Sequence, residues 1–240
     1  LAAQAYVPES FSNPVRTFEV NTIGSLNLLE AVKQLGIKTK ILLAGTSEEY
    51  GDAQYGKGII TEEALPNPLS PYAISKLAMD HLGRLYAKSY GLGVVVTRAF
   101  NHAGPGRGEM YAESAFAKQI VEVELGRRKF VEHGNLESIR NYTDARDIVK
   151  AYKLAIDLSP GIYNICSDES VSMQQIMDWL VEGAKCEVKT KVNPALYRPA
   201  DFSFKTPSCG KFKKLTGWEP VIPLAQTLKD ILQDWRERLA

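Results

Sequence analysis

The chain has 240 residues, 45% hydrophobic and 24% charged, enough for one large α/β domain or a main domain with a smaller lobe. Its net charge of +1 gives no global field for nucleic acid or an anionic membrane, so an anionic ligand must be held by local arginines. No apolar run approaches the ~20 residues that span a bilayer, and Cys166, Cys186 and Cys209 lack metal-ligand spacing, which points to thiols in a reducing, cytoplasmic compartment.

Leu1-Ala2-Ala3-Gln4 reads as the end of a buried strand. A domain seldom opens in mid-core, so the chain is expected to be an N-terminally truncated piece. Val15, Phe18, Ile23, Leu26, Leu29, Val32 and Leu35 recur at helical spacing, which predicts a helix from about Pro14 to Leu35, capped by Gly36. Lys40 to Gly45 is a short, nearly continuous apolar run, as in a strand buried on both faces of a parallel sheet. A polar loop rich in Gly and Pro leads to Ser70-Pro71-Tyr72, where an N-cap serine and a proline at the first helical position predict a helix to about Tyr90. Gly93 to Phe100 is the next buried strand. This alternation predicts a doubly wound parallel sheet of the Rossmann type.

Beyond Gly104 the pattern loosens. Helices are expected near Ala115–Leu125, from Asp144, at Met173–Ala184 and at Leu224–Leu239. Strands are expected at Lys129–His133, Ile162–Cys166 and Glu187–Val192. The expected organisation is therefore the C-terminal part of a dinucleotide-binding domain over residues 1–103, then a smaller α/β substrate lobe over 104–240. Some elements of the second part would return to the first.

The sharpest motif is Tyr72-Ala73-Ile74-Ser75-Lys76. Positions i and i+4 share a helix face, and an ammonium beside a phenol favours the phenolate, making a proton donor and acceptor usable near neutral pH. Such a spacing arises by chance in many helices. Here it follows a strand that ends in Thr46-Ser47-Glu48, placing a hydroxyl and a carboxylate at a strand's C-terminal edge.

In this order the residues resemble the extended short-chain dehydrogenase/reductase family, over essentially the whole chain. The resemblance implies a catalytic set of Asn21, Thr46, Tyr72 and Lys76. It also implies NAD or NADP as cofactor, lined by Leu1, Ala2, Ala3, Tyr72, Lys76, Phe100 and Asn101. Arg98 to Gly106 resembles the segment that lines cofactor and sugar nucleotide. Ser138 to Asp144 resembles the stretch whose arginine, here Arg140, grips a diphosphate, and Arg198-Pro199 resembles a second such contact. Guanidinium forks pair bidentately with such oxygens. The family's glycine-rich first turn would lie in the segment expected upstream, on the order of 60 residues. Without it the chain is expected to hold the cofactor pyrophosphate weakly.

Within the family the resemblance is to the branch acting on GDP-mannose derivatives, with a GDP-sugar as substrate. Phe116 to Ile120, the Gly134 to Glu137 turn and Thr216 to Pro220 look more like its 4-keto-sugar reductases. Thr46-Ser47-Glu48 and Arg107-Gly108-Glu109 also suit its 4,6-dehydratases. For a reductase the resemblance implies that Tyr72 protonates the reduced oxygen, Thr46 hydrogen-bonds it, Lys76 supports Tyr72 and the ribose, and Asn21 holds a water. For a dehydratase, Glu48 would help eliminate water. A homodimer through the helices at Pro14–Leu35 and Pro71–Tyr90 is implied by resemblance alone. A reading from another class is an inactive piece that only binds a nucleotide or a partner subunit.

Overall fold

A computed structural model describes residues 1–51, 58–197 and 206–240, and it is an α/β structure. Leu1–Tyr6 forms no strand, contrary to expectation. The backbone N–H and C=O of Gln4 are both bonded to the side chain of Asn21, at 2.9 and 3.0 Å, rather than to a strand.

Helix α1 (Val7–Ser12) is too short for apolar spacing to announce it. α2 (Pro14–Phe18) starts on Asn13, whose side chain accepts from the Arg16 N–H at 3.3 Å. The expected helix from Pro14 to Leu35 is broken by a π-helical turn, Glu19–Ile23, before it continues as α3 (Gly24–Leu35). Gly36 ends α3 at φ 61°, the left-handed C-cap that glycine adopts without steric cost. β1 (Lys40–Thr46) follows. α4 (Pro71–Tyr90) begins as expected: Pro71 sits in the first turn and the Ser70 hydroxyl accepts from the Ala73 N–H at 3.1 Å. β2 (Gly93–Ala99), β3 (Asn101–Ala103), α5 (Ala112–Glu124), β4 (Val131–His133), β5 (Ile139–Asp144) and α6 (Ala145–Ala155) come next. β6 (Gly161–Ile165), β7 (Ser170–Ser172), α7 (Met173–Glu182), β8 (Thr190–Val192), α8 (Gly210–Thr216) and α9 (Leu224–Leu239) complete the order. The strands β3, β5 and β7 and the helix α8 were not anticipated. They are three to seven residues long, and β5 carries Arg140, Asn141 and Asp144 where an apolar run is the usual signal.

The chain divides into two compact units. The first comprises Leu1–Phe100, Ile148–Cys166 and Lys205–Glu219. Its sheet has the order β1-β2-β6, all parallel, with Thr46 opposite Ala99 and Ala99 opposite Ile165. Leu29 and Val32 of α3 and Met79 and Tyr86 of α4 pack on Ile41, Leu43, Val94 and Val96. Gly83 lets α4 lie close to the strands: a Cβ there would meet Leu43 Cδ1 at 2.6 Å and Val94 Cγ1 at 3.1 Å. Tyr163, Phe212 and Trp218 form a second aromatic cluster, with edge-on ring contacts at 6.4 and 5.7 Å.

The second unit comprises Asn101–Asp147, Ser167–Phe204 and Pro220–Ala240. β3 pairs parallel with β5, and β5 pairs antiparallel with β7. β4 pairs with β8. Phe116 and Ile120 of α5, Met177 and Leu180 of α7, and Leu228, Ile231 and Trp235 of α9 form its core. The Trp235 indole is satisfied inside that core by the Ser114 hydroxyl at 2.9 Å.

Candidate active site

Thr46 is the last residue of β1 and is buried. The chain then makes a tight turn, Ser47–Tyr50, closed by a reciprocal cap. The Thr46 hydroxyl accepts from the Glu48 N–H at 3.3 Å, and the Glu49 carboxylate accepts from the Thr46 N–H at 2.9 Å. Gly51 leaves the turn at φ 54°, and a Cβ there would lie 1.7 Å from the Asn67 carbonyl oxygen, so no other residue fits without moving the backbone. Glu48 is half-buried beside Thr46 in this turn.

Tyr72 and Lys76 stand one helical turn apart in the first half of α4, 9% and 5% exposed. The Lys76 ammonium donates to the carbonyl oxygen of Ala44 on β1 at 3.0 Å. That bond uses one of its three N–H donors, and no second acceptor is found among the described residues, which leaves donors for hydroxyl groups of a ligand. Burial pulls the Lys76 ammonium down to about 8, with the nearby Glu49 carboxylate opposing the shift.

Asn21 lies at the centre of the π-helical turn, a geometry found often at functional sites. Its amide nitrogen donates to the Gln4 carbonyl and to the Ser75 hydroxyl, each at 3.0 Å, and its oxygen accepts from the Gln4 N–H. Ser75 in turn donates to the Tyr72 carbonyl at 2.7 Å, and Thr22 donates to the Ser75 carbonyl at 3.0 Å. Asn21 is therefore bonded to the first residues of the chain and to the helix that carries Tyr72 and Lys76.

A buried ionic network lies behind these residues, and sequence reasoning missed it. Arg98 of β2 is 1% exposed and donates to Glu49 at 2.8 Å and to Asp80 of α4 at 2.6 Å. Arg84 bonds the other Asp80 oxygen at 2.5 Å. Arg98 also lies 4.8 Å from the Tyr50 ring centre, and the Tyr50 hydroxyl donates to Asn164 at 2.7 Å. Burial and the neighbouring Asp80 push the Glu49 carboxyl up while the bonded Arg98 guanidinium pulls it back down, and burial pushes Tyr50 up to about 12. Two signals were available: an arginine inside the apolar run Val94–Phe100, and Asp80 one turn beyond Lys76.

The remaining expected residues are distributed as follows. Leu1, Ala2 and Ala3 are exposed. Phe100 is buried, its ring stacked on Tyr50 at 6.3 Å and its N–H bonded to Ile165, so its side chain belongs to the core. Asn101 and Arg140 belong to the second unit. Asn101 stands opposite Tyr142, and Arg140 is half-buried on β5 opposite Val171. Arg198 lies outside the described residues.

This arrangement bears on acid–base chemistry with a nucleotide cofactor. A phenol and an ammonium share one helix face, a hydroxyl ends the adjoining strand, and the ammonium keeps donors for ribose hydroxyls. The residues present fit such a cofactor at that edge.

Comparison with known proteins points the same way. Residues 1–231 match a family model described as GDP-mannose 4,6 dehydratase. The chain is 34% identical to a GDP-6-deoxy-D-mannose reductase of Pseudomonas aeruginosa, across all of this chain and 80% of that protein. It is 30% identical to a GDP-mannose 4,6-dehydratase of Vibrio cholerae, across 97% of this chain and 70% of that one. A solved structure of RMD from Pseudomonas aeruginosa complexed with NADPH superposes with a TM-score of 0.93 at 33% identity, covering 99% of this chain and 80% of that one.

Proposed function

The chain belongs to the GDP-mannose 4,6-dehydratase family, and we propose that it is an NAD(P)-dependent enzyme that reduces a GDP-4-keto-6-deoxy-mannose to the GDP-6-deoxyhexose. The observation that carries this reading is the Tyr72–Lys76 pair, buried on one helix face, with Lys76 bonded to the strand that ends in Thr46. The 34% identity to a reductase over the whole chain supports the direction of the reaction.

In this reading a nicotinamide cofactor held beside Tyr72 and Lys76 would supply the hydride for reduction at the sugar C4. Tyr72 gives its phenolic proton to the oxygen that gains charge, then recovers a proton from solvent. Thr46 steadies the same oxygen with its hydroxyl. Lys76 keeps a positive charge one turn from the phenol and offers its remaining N–H donors to ribose hydroxyls. Asn21 acts chiefly as a joint, because its amide is committed to Gln4 and Ser75. Arg140 and Arg198 hold the GDP diphosphate, as bidentate guanidinium groups do.

Dehydration is the second reading, and Glu48 favours it: a half-buried carboxylate next to Thr46 is what elimination of water across C5 and C6 requires. The test is Glu48→Gln in the full-length protein. A reductase needs only the Tyr72 proton and the hydride, so its turnover should stay within about tenfold, under ~1.4 kcal/mol of barrier. Loss of all turnover, with GDP-mannose as the substrate consumed by the parent, replaces this reading with the dehydratase.

A homodimer is part of the same reading. Exposed apolar residues on α3 and α4, among them Leu28, Leu35, Ile74 and Leu85, offer the surface, and sedimentation of the full-length protein tests it. No helix among the described residues is long and apolar enough to cross a membrane. Cytoplasmic location is proposed with the substrate, and cell fractionation tests it.

A further inference from the structure

Glu49 is a fully buried carboxylate that the proposed reaction does not use. Its two oxygens serve two different elements. Oε1 accepts from the Thr46 N–H at 2.9 Å, and Oε2 accepts from Arg98 Nε at 2.8 Å. Arg98 passes the connection to Asp80 at 2.6 Å, and Asp80 sits on α4 one turn beyond Lys76. The chain also keeps room for this carboxylate: a Cβ on Gly45 would stand 2.6 Å from Glu49 Oε1.

We propose that Glu49 is a positioning residue, whose carboxylate ties the turn carrying Thr46, through Arg98 and Asp80, to the helix carrying Tyr72 and Lys76. The proposal rests on the reading of Thr46, Tyr72 and Lys76 as the reacting set. A purely structural role is the poorer account, because buried ionic networks often stabilise no more than apolar residues of the same volume. What an apolar replacement lacks is an acceptor for the Thr46 N–H and a directional bond to Arg98. The charged and titratable groups around Glu49 are Arg98 on β2, Asp80 and Lys76 on α4, and Tyr50 in its own turn. Its negative charge also favours the proton on Lys76.

Two substitutions in the full-length enzyme separate position from charge. Glu49→Gln keeps an oxygen for the Thr46 N–H and loses the charge. The basic limb of its kcat–pH profile should move down by about one unit, because Lys76 loses a favourable field. Glu49→Asp keeps the charge and draws the carboxylate back. Its kcat should fall by the order of 10²-fold, with KM for the GDP-sugar nearly unchanged and the basic limb in its wild-type place. A Glu49→Asp enzyme with wild-type kcat overturns the proposal, as does a Glu49→Gln limb that does not move. Should Glu49→Gln not fold, Glu49→Asp alone decides by its kcat. The Lys76 ammonium is also to be titrated by NMR in labelled wild-type and Glu49→Gln protein, a readout that needs no substrate. If wild type turns over neither GDP-sugar, the assignment of activity fails, and a lower Lys76 titration in Glu49→Gln still supports the link from Glu49 to Lys76. An unchanged Lys76 titration overturns that link.

Discussion

The Lys76 ammonium donates to the Ala44 carbonyl at 3.0 Å, so the helix that carries Tyr72 is bonded to the strand that ends in Thr46. This bond holds a charge in a place where water is scarce, and burial brings the ammonium down from 10.5 to about 8. Two consequences follow with definite signs. Turnover needs the charged form, so kcat should fall as pH rises through about 8. Between about 8 and 10.5 the unfolded chain holds this proton and the folded one does not. Folding then releases a proton, and the stability from this group grows as pH rises through that window. Denaturant melts of wild type and Lys76→Met across the window check it: the rise should be smaller in the variant.

Tyr72→Phe removes the proton donor and leaves the ring. General acid–base catalysis contributes about 10²–10⁴-fold, so kcat should fall by that order while NADPH affinity is nearly unchanged. Steady-state kinetics with a fluorescence titration of the cofactor separates the two quantities. A Tyr72→Phe enzyme that keeps most of its activity removes Tyr72 from the reaction.

Arg98→Met leaves Glu49 and Asp80 buried without their shared cation. Breaking a buried ion pair from one side costs about 3–5 kcal/mol, and a lowered urea midpoint with an unchanged slope is the expected signature. An Arg98→Met protein as stable as wild type shows that the network is relaxed by water or by protonation of Glu49.

How much of this was legible in the sequence depended on the kind of interaction. The Ser70-Pro71 start of α4, the Gly36 end of α3 and the strand at Lys40 announced themselves, because caps and buried runs are local signals. The π-helical turn at Asn21 did not. One extra residue in a turn leaves apolar spacing almost unaltered, and the bonds from Asn21 to Gln4 and Ser75 join residues 17 and 54 positions apart. The same holds for Glu49. Beside Thr46-Ser47-Glu48 it reads as another polar loop residue, and only the approach of Arg98, 49 positions away, gives it a partner. Nor does the strand-like composition of the opening residues carry any sign that Asn21 takes the backbone groups of Gln4.

Arg140→Ala should weaken binding of the GDP-sugar more than it slows a saturated enzyme. A diphosphate contact is made in ground and transition state alike, so the loss should appear mainly in KM. If kcat collapses while KM stays fixed, Arg140 acts on the reacting centre instead.

The most direct test offers the full-length protein two substrates and follows NADPH absorbance together with sugar-nucleotide products. With a GDP-4-keto-6-deoxy-mannose, one NADPH should be oxidised for each GDP-6-deoxyhexose formed. With GDP-mannose and oxidised cofactor, no 4-keto product should be released. Conversion of GDP-mannose to a 4-keto sugar without net change in cofactor, and no reduction of the 4-keto substrate, would contradict the account.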